Sequence, residues 1–258
     1  MSKALFGSCD PTTLAANAPD VDLGEFAEVK LEQVHIYSAL FEIPLHGAMR
    51  SLPVGVHPSI PALSCATFWR CPGGPLGAFE LAFIGLACRT GIKPRQLVYS
   101  AFADTDAACG FFRQRYGFPC RSAKVRQREY YDRVLGSVEM LGKRILEISA
   151  TGLTPLVGMG SFVKYSAALN FARVPEGVGL VQLEASYEFT RVIRGVPQAV
   201  TYDGAALGDA TIVPVYPVSG AHAIVNLTLH PTRFVVDPVT PAERGGVRRI
   251  ERGNAARA

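Results

Sequence analysis

Residues Gly77 to Arg89 read GAFELAFIGLACR, and this run decides the class of fold. Phe79, Leu81 and Phe83 fall on one alternating face, and Ala82, Ile84 and Leu86 on the other. A strand that is apolar on both faces has to be covered on both sides, so it belongs at the centre of a sheet. Arg95 to Ala101 reads as its neighbour. Asp132 to Met140 and Lys143 to Ala150 flank Leu141-Gly142 and read as a hairpin. Leu180 to Arg191 alternates Val181, Leu183, Ala185, Tyr187 and Phe189 against mostly polar partners. Ala223 to Val236 supplies a last long strand or pair. Glycine and proline recur at short intervals between these runs, as many short strands and turns require. The fold is predicted to be mainly β.

One helix stands out against the strands. Asp104 or Thr105 can cap it, Asp106 suits the positive end of its dipole, and Phe111, Phe112 and Tyr116 give it an apolar face. Gly117 is placed to end it, and Pro119 prevents its continuation. The chain then enters Cys120-Arg121-Ser122-Ala123-Lys124. A helix that stops at Gly-Phe-Pro and feeds a strand makes a fixed corner, suited either to an ordinary αβ turn or to holding a reacting side chain.

The 258 residues are 48% apolar and 19% charged, which is ample for a buried core. The segments expected are a loose leader over residues 1–28, a folded domain over 29–240, and a flexible basic tail over 241–258. The formal net charge of +4 lies mostly in that tail, because Glu243 to Ala258 hold five arginines and two glutamates. The body is therefore near neutral and lacks the basic stripe that nucleic-acid binding needs. No run reaches the roughly 18 apolar residues of a membrane span. The six cysteines show no CxxC spacing and no zinc pattern, which suits reduced thiols in a cytoplasmic protein. His222 and His230 are too far apart to suggest a metal site by spacing. Gly158-Met159-Gly160 lacks the third glycine of a dinucleotide fingerprint. No cofactor and no metal are expected.

From the corner outward, the sequence resembles the acetoacetate decarboxylase family. The matching stretches are Tyr99 to Arg121 (YSAFADTDAACGFFRQRYGFPCR), Val134 to Leu153, Leu169-Asn170-Phe171, and Ser219-Gly220-Ala221-His222 with Asn226. They follow the family's order and spacing over roughly residues 40 to 237. The resemblance implies an antiparallel, cone-like or double-barrel sheet with one main helix packed alongside. It also implies a pocket inside the cone for a small carbonyl or carboxylate substrate, and a homo-oligomer. In the decarboxylases two lysines follow the turn. The first forms an imine and the second depresses its pKa, an activation known for acetoacetate decarboxylase itself. This chain has Cys120 and Arg121 there, and neither forms a stable ketone imine. The family's early arginine and the first of its two glutamates have no clear counterpart, since Pro58 to Gly74 aligns poorly. Trp69 lies in that stretch. The second glutamate is matched by Glu80.

Glu80 is the first candidate for proton transfer, since a carboxylate between Phe79 and Leu81 must be paired or protonated, and burial would raise its pKa. The alternative is a structural ion pair with Arg70 or Arg89. Arg121 could anchor an anionic group or a developing enolate, or be structural. Cys120 could be a nucleophile beside Arg121, or simply a small pocket-lining residue. His222 could move a proton or orient Glu80, or be a hydrogen-bonded structural histidine. Phe118 and Lys124 complete the set as substrate-binding candidates, Lys124 being the one lysine near enough to form a displaced imine. The reading expected is an enzyme acting without an imine on a keto acid or polyketide-like carbonyl compound. The alternatives are a non-catalytic binding protein and a Schiff-base enzyme using Lys124.

Overall fold

The computed structural model describes residues 6–24, 26–90, 93–157, 165–240 and 246–250. In chain order the elements are α1 (Pro11–Ala15), β1 (Val29–Glu42), α2 (Leu45–Ser51), β2 (His57–Pro58), β3 (Leu63–Cys71), β4 (Phe79–Thr90) and β5 (Lys93–Ala103). They continue with α3 (Asp106–Tyr116), β6 (Cys120–Ser122), β7 (Lys124–Glu129), β8 (Arg133–Met140), β9 (Lys143–Pro155) and β10 (Ala167–Val174). The last are β11 (Gly177–Tyr202), α4 (Gly204–Leu207), β12 (Tyr216–His230), β13 (Phe234–Val236) and β14 (Val247–Arg249). The Gly158-Met159-Gly160 run and parts of the leader and tail lie outside the described residues.

The main strand order is β10-β5-β4-β3-β1-β12-β11-β9-β8-β7, and β10 also pairs with β11. That extra pairing closes β10-β5-β4-β3-β1-β12-β11 into a barrel. The order then runs on through β9, β8 and β7 as an outer layer. Most pairings are antiparallel, the exceptions being β10 with β5 and β6 with β5. Long strand β11 serves both layers, pairing β10 and β12 along its first part and β9 along its last.

Strand β4 is central as predicted, lying between β3 and β5 with nearly every residue buried. Its two faces meet two different cores. Phe79, Leu81 and Phe83 point into the barrel with Trp69, Phe112 and Phe118. Ala82 and Ile84 point outward against Val125, Val134, Val138 and Ile148 of the outer layer. The β8–β9 hairpin turns at Leu141 and Gly142, with φ of 51° and 77°. Two successive left-handed residues are what a tight turn between right-twisted strands demands.

Helix α3 begins at Thr105, whose side chain accepts from the Ala108 N–H, and ends at Gly117 with φ 70°. There the capping N–H reaches back to the Arg113 and Phe112 carbonyls. The predicted cap and stop are both in place. Phe112 is fully buried, within 6.0 Å (ring centroids) of Trp69, Phe79 and Phe118. The helix thus plugs one end of the barrel instead of lying on its surface.

Two segments differ from expectation. The leader is packed: α1 is capped by Asp10, Ala15, Ala18 and Val21 are buried, and Asp20 bridges to Arg173. Ala18 packs in one cluster with Leu97 and Leu169, and Val21 in another with Ala172 and Val181. In the tail, Val247–Arg249 pairs with Phe234–Val236, because β13 offers an open edge for it.

Candidate functional site

The barrel interior holds a cavity of about 410 Å³, open on one side. Alternation along the strands supplies its walls. Ser38 of β1 and Thr67 of β3 are register partners, and their hydroxyls lie 3.2 Å apart on one wall. The Cys65 thiol is 3.5 Å from the same Thr67 hydroxyl. Trp69 and Phe83 line the cavity and also meet each other edge to face at 5.7 Å. They divide the hollow from the aromatic plug around α3. Gln96, Tyr165, Tyr187 and Arg194 complete the polar lining.

Arg194 reaches the cavity because it shares the inward parity of buried Val192 on β11, whereas Ile193 faces the outer core. Among the described residues no carboxylate pairs with it. The Tyr165 ring lies tilted against Tyr187 at 4.9 Å, and its hydroxyl is buried without a hydrogen-bond partner among the described residues. Burial pushes both phenols up, so at neutral pH they are un-ionised donors. Burial raises the Cys65 thiol as well. The described lining contains an arginine, hydroxyls, an amide and a thiol, and no lysine, histidine or carboxylate. It can hold a small molecule with an anionic group and a hydrogen-bond acceptor.

The predicted site residues are not brought together here. Glu80 shares the outward parity of Ala82 and Ile84, on the opposite face of β4 from the cavity. Its carboxylate accepts from the Gln127 N–H and, at 2.7 Å, from Arg128, with Arg126 at 3.8 Å. Strand β7 ends the sheet, so its outer N–H groups lack a partner strand. Glu80 supplies the missing acceptor. It is a structural ion pair, with Arg126 and Arg128 in place of Arg70 or Arg89.

Cys120 does face the barrel interior, but it is buried in the apolar cluster with Phe112 and Phe118 and is not part of the cavity lining. Its thiol donates to Cys109 of α3, and that donation, with burial, pushes it up. Cys109 is correspondingly held down to about 7, by the Cys120 hydrogen bond first and by nearby Arg113 after it. Arg121 reaches Cys120 through its backbone N–H, which acts to lower the thiol, while its side chain is held elsewhere. Its guanidinium covers the Phe102 ring at 4.6 Å and donates to Ser100 Oγ and the Ala206 carbonyl. That clamps β5 to α4.

Phe118 is fully buried in the plug, 5.4 Å from Phe83, and so sits behind the cavity wall. Lys124 is exposed and pairs with Glu139 at 3.1 Å. His222 is 1% exposed and lies on the outer face of β12, near His35 and Glu129, and makes no hydrogen bond to Glu80. Burial lowers it to about 4, so it is neutral at physiological pH. Of the residues that line the cavity, Trp69 was singled out from the sequence as a possible pocket residue, whereas Arg194 and Tyr165 were not anticipated. Inward parity with Val192 was the one signal for Arg194.

No protein-family model matches this sequence, and no curated protein matches it. Solved structures do. An acetoacetate decarboxylase superimposes with a TM-score of 0.73 at 11% identity, covering 83% of this chain and 91% of that one. The acetoacetate decarboxylase of Legionella pneumophila gives 0.67 at 17% identity, covering 84% and 90%. The enduracididine biosynthesis enzyme MppR, complexed with the condensation product of pyruvate and imidazole 4-carboxaldehyde, gives 0.66 at 19% identity, covering 84% and 92%. At these identities the likeness speaks to architecture. This chain has the fold of the acetoacetate decarboxylases and their structural relatives.

Proposed function

We propose that the chain binds a small keto acid or polyketide-like carbonyl compound in the barrel cavity and acts on it without an imine. The observation that carries this reading is that Arg194 and Tyr165 line one hollow that has no lysine in its described lining, with the Tyr165 hydroxyl buried beside it and without a partner among the described residues. Arg194 would hold the carboxylate through charge-assisted hydrogen bonds. Tyr165 would donate to the carbonyl oxygen and more strongly to the enolate that develops there, so its bond favours the transition state. The fold is shared with MppR, whose structures include a complex with pyruvate. That analogy supports the ligand class and says nothing of the chemistry.

Among enolate reactions, those that break a carbon–carbon bond suit this lining better than those that begin by removing a proton. The first kind needs a stabilised oxygen, and the second needs a base. The same lack of a base favours a second reading, a protein that binds such a ligand without turning it over. One experiment separates these readings. The wild type and Tyr165→Phe are incubated with a panel of keto acids, with turnover followed by mass spectrometry and binding by calorimetry. The proposal expects turnover in the wild type, and a fall in kcat well beyond any change in affinity in Tyr165→Phe. Binding with no turnover selects the second reading. Borohydride reduction that labels a lysine, Lys124 included, would overturn both in favour of an imine.

A further inference from the structure

A second polar centre lies on the other side of the sheet. His35 on β1, His222 on β12 and Glu129 at the end of β7 each present one ligand-type atom, and these atoms lie within 4.8 Å of one another. Tyr37 and His222 are register partners, so β1 and β12 hold the two imidazoles on the same outward face. Their ring centroids are 5.5 Å apart. Ala221 and Ala223, on either side of His222, point into the barrel. The centre is therefore separated from the cavity by the thickness of the sheet.

Polar atoms left without partners concentrate here. Both ring nitrogens of His222 are buried with no hydrogen-bond partner among the described residues, as is Nδ1 of His35. The Tyr37 hydroxyl and the Gln127 amide, two residues before Glu129, are in the same condition. Burying a polar group unpaired destabilises the fold unless a ligand completes it. Glu129 does have a partner, since Arg191 donates to its Oε1. Its Oε2 is left facing His222 Nδ1 at 3.7 Å.

We propose that His35, Glu129 and His222 form a binding site for a divalent transition-metal ion of the zinc class. Two imidazoles and one carboxylate are a borderline-soft set that selects zinc or its neighbours over magnesium or calcium. Metal–ligand bonds of about 2.0–2.2 Å in a tetrahedron place ligand atoms roughly 3.3 Å apart. From 3.7 Å and at most 4.8 Å, small side-chain rotations close the difference. Three protein ligands leave a fourth position open. A surface hollow bounded by Tyr130, Tyr131, Leu153 and Pro155 has Glu129 and Arg191 in its wall, so it reaches the carboxylate side of the centre. Arg191 and Arg70, the register partner of His35, add positive charge around the centre. They lower its affinity for a bare cation and favour hydroxide or another anion as the fourth ligand.

The test uses the full chain, stripped with a chelator and dialysed. Zn²⁺ is titrated by calorimetry, and Co²⁺ is used as a visible-absorption probe. The result expected is one Zn²⁺ per chain, with Co²⁺ d–d bands of four-coordinate intensity and no thiolate charge-transfer band. Binding should weaken at least about tenfold in His35→Ala, His222→Ala and Glu129→Gln. It should be unchanged in His230→Ala, whose imidazole pairs elsewhere with Glu28 and Ser186. Should His222→Ala fail to fold, His222→Gln takes its place, and the wild-type cobalt spectrum stands independently of any variant. Absence of stoichiometric binding by folded wild type overturns the proposal. A thiolate band does the same, as does affinity unaltered in the three ligand variants. None of these outcomes bears on the cavity, which shares no residue with this centre.

Discussion

The two ends of the barrel interior are walled by the same strands and are built in opposite ways. At one end Phe112 packs against Trp69, Phe79 and Phe118 at centroid separations of 5.4–6.0 Å. At the other, Ser38, Thr67, Tyr165 and Arg194 surround about 410 Å³. The difference comes from α3. The Gly117 stop and the buried Phe118 draw the helix into the barrel mouth, and its aromatic face fills what would otherwise be a through-hollow. Packing of this kind stabilises, whereas a buried hydroxyl with no partner costs stability and is retained where a ligand completes it.

The contrast can be broken most severely at the plug. Phe112→Ala empties a fully buried aromatic position, and a loss of about 3–5 kcal/mol is expected in urea denaturation. A loss under 1 kcal/mol would mean that the helix is not integral to the barrel. Glu80→Ala comes next, with an expected cost of about 2 kcal/mol. That is below the 3–5 kcal/mol of a fully buried pair, because Arg126 and Arg128 are 43% and 41% exposed. Ligand binding in the cavity should be untouched by it, and weakened binding would return Glu80 to the site. The smallest stability effect belongs to Arg194→Gln, within about 0.5 kcal/mol of wild type because no carboxylate among the described residues pairs with it. Its signature is instead a loss of roughly tenfold in affinity for carboxylate ligands, read by calorimetry, with neutral analogues unaffected.

Those elements whose chemistry is local were readable before any coordinates. The two-faced apolar run of β4, the Leu141-Gly142 turn and the Thr105 and Gly117 caps each follow from neighbouring residues alone. The candidate site was not readable in that way, and β4 shows why. Alternation correctly set Glu80 beside Ala82 and Ile84. It could not say which face looks into a hollow, because both faces are apolar. Tyr165 lies just before β10 and Arg194 late in β11, and local pattern alone does not say that both turn toward one hollow. The same holds for His35, Glu129 and His222, whose spacings in the chain carry no metal pattern. The leader was misjudged for a related reason. Ala15, Ala18 and Val21 are too few to suggest a packed segment until the flank they cover is known.

Strand β11 runs unbroken through 26 residues and belongs to both layers. Its early residues close the barrel, its middle carries Arg191 and Arg194 to opposite faces, and its end pairs with β9. The inner and outer layers are therefore stitched by one continuous length of backbone. No boundary exists along which the molecule could come apart into an inner half and an outer half. Loosening the outer layer would slacken the wall that bears Arg194, so amide protons along the whole of this strand should exchange as one cooperative block.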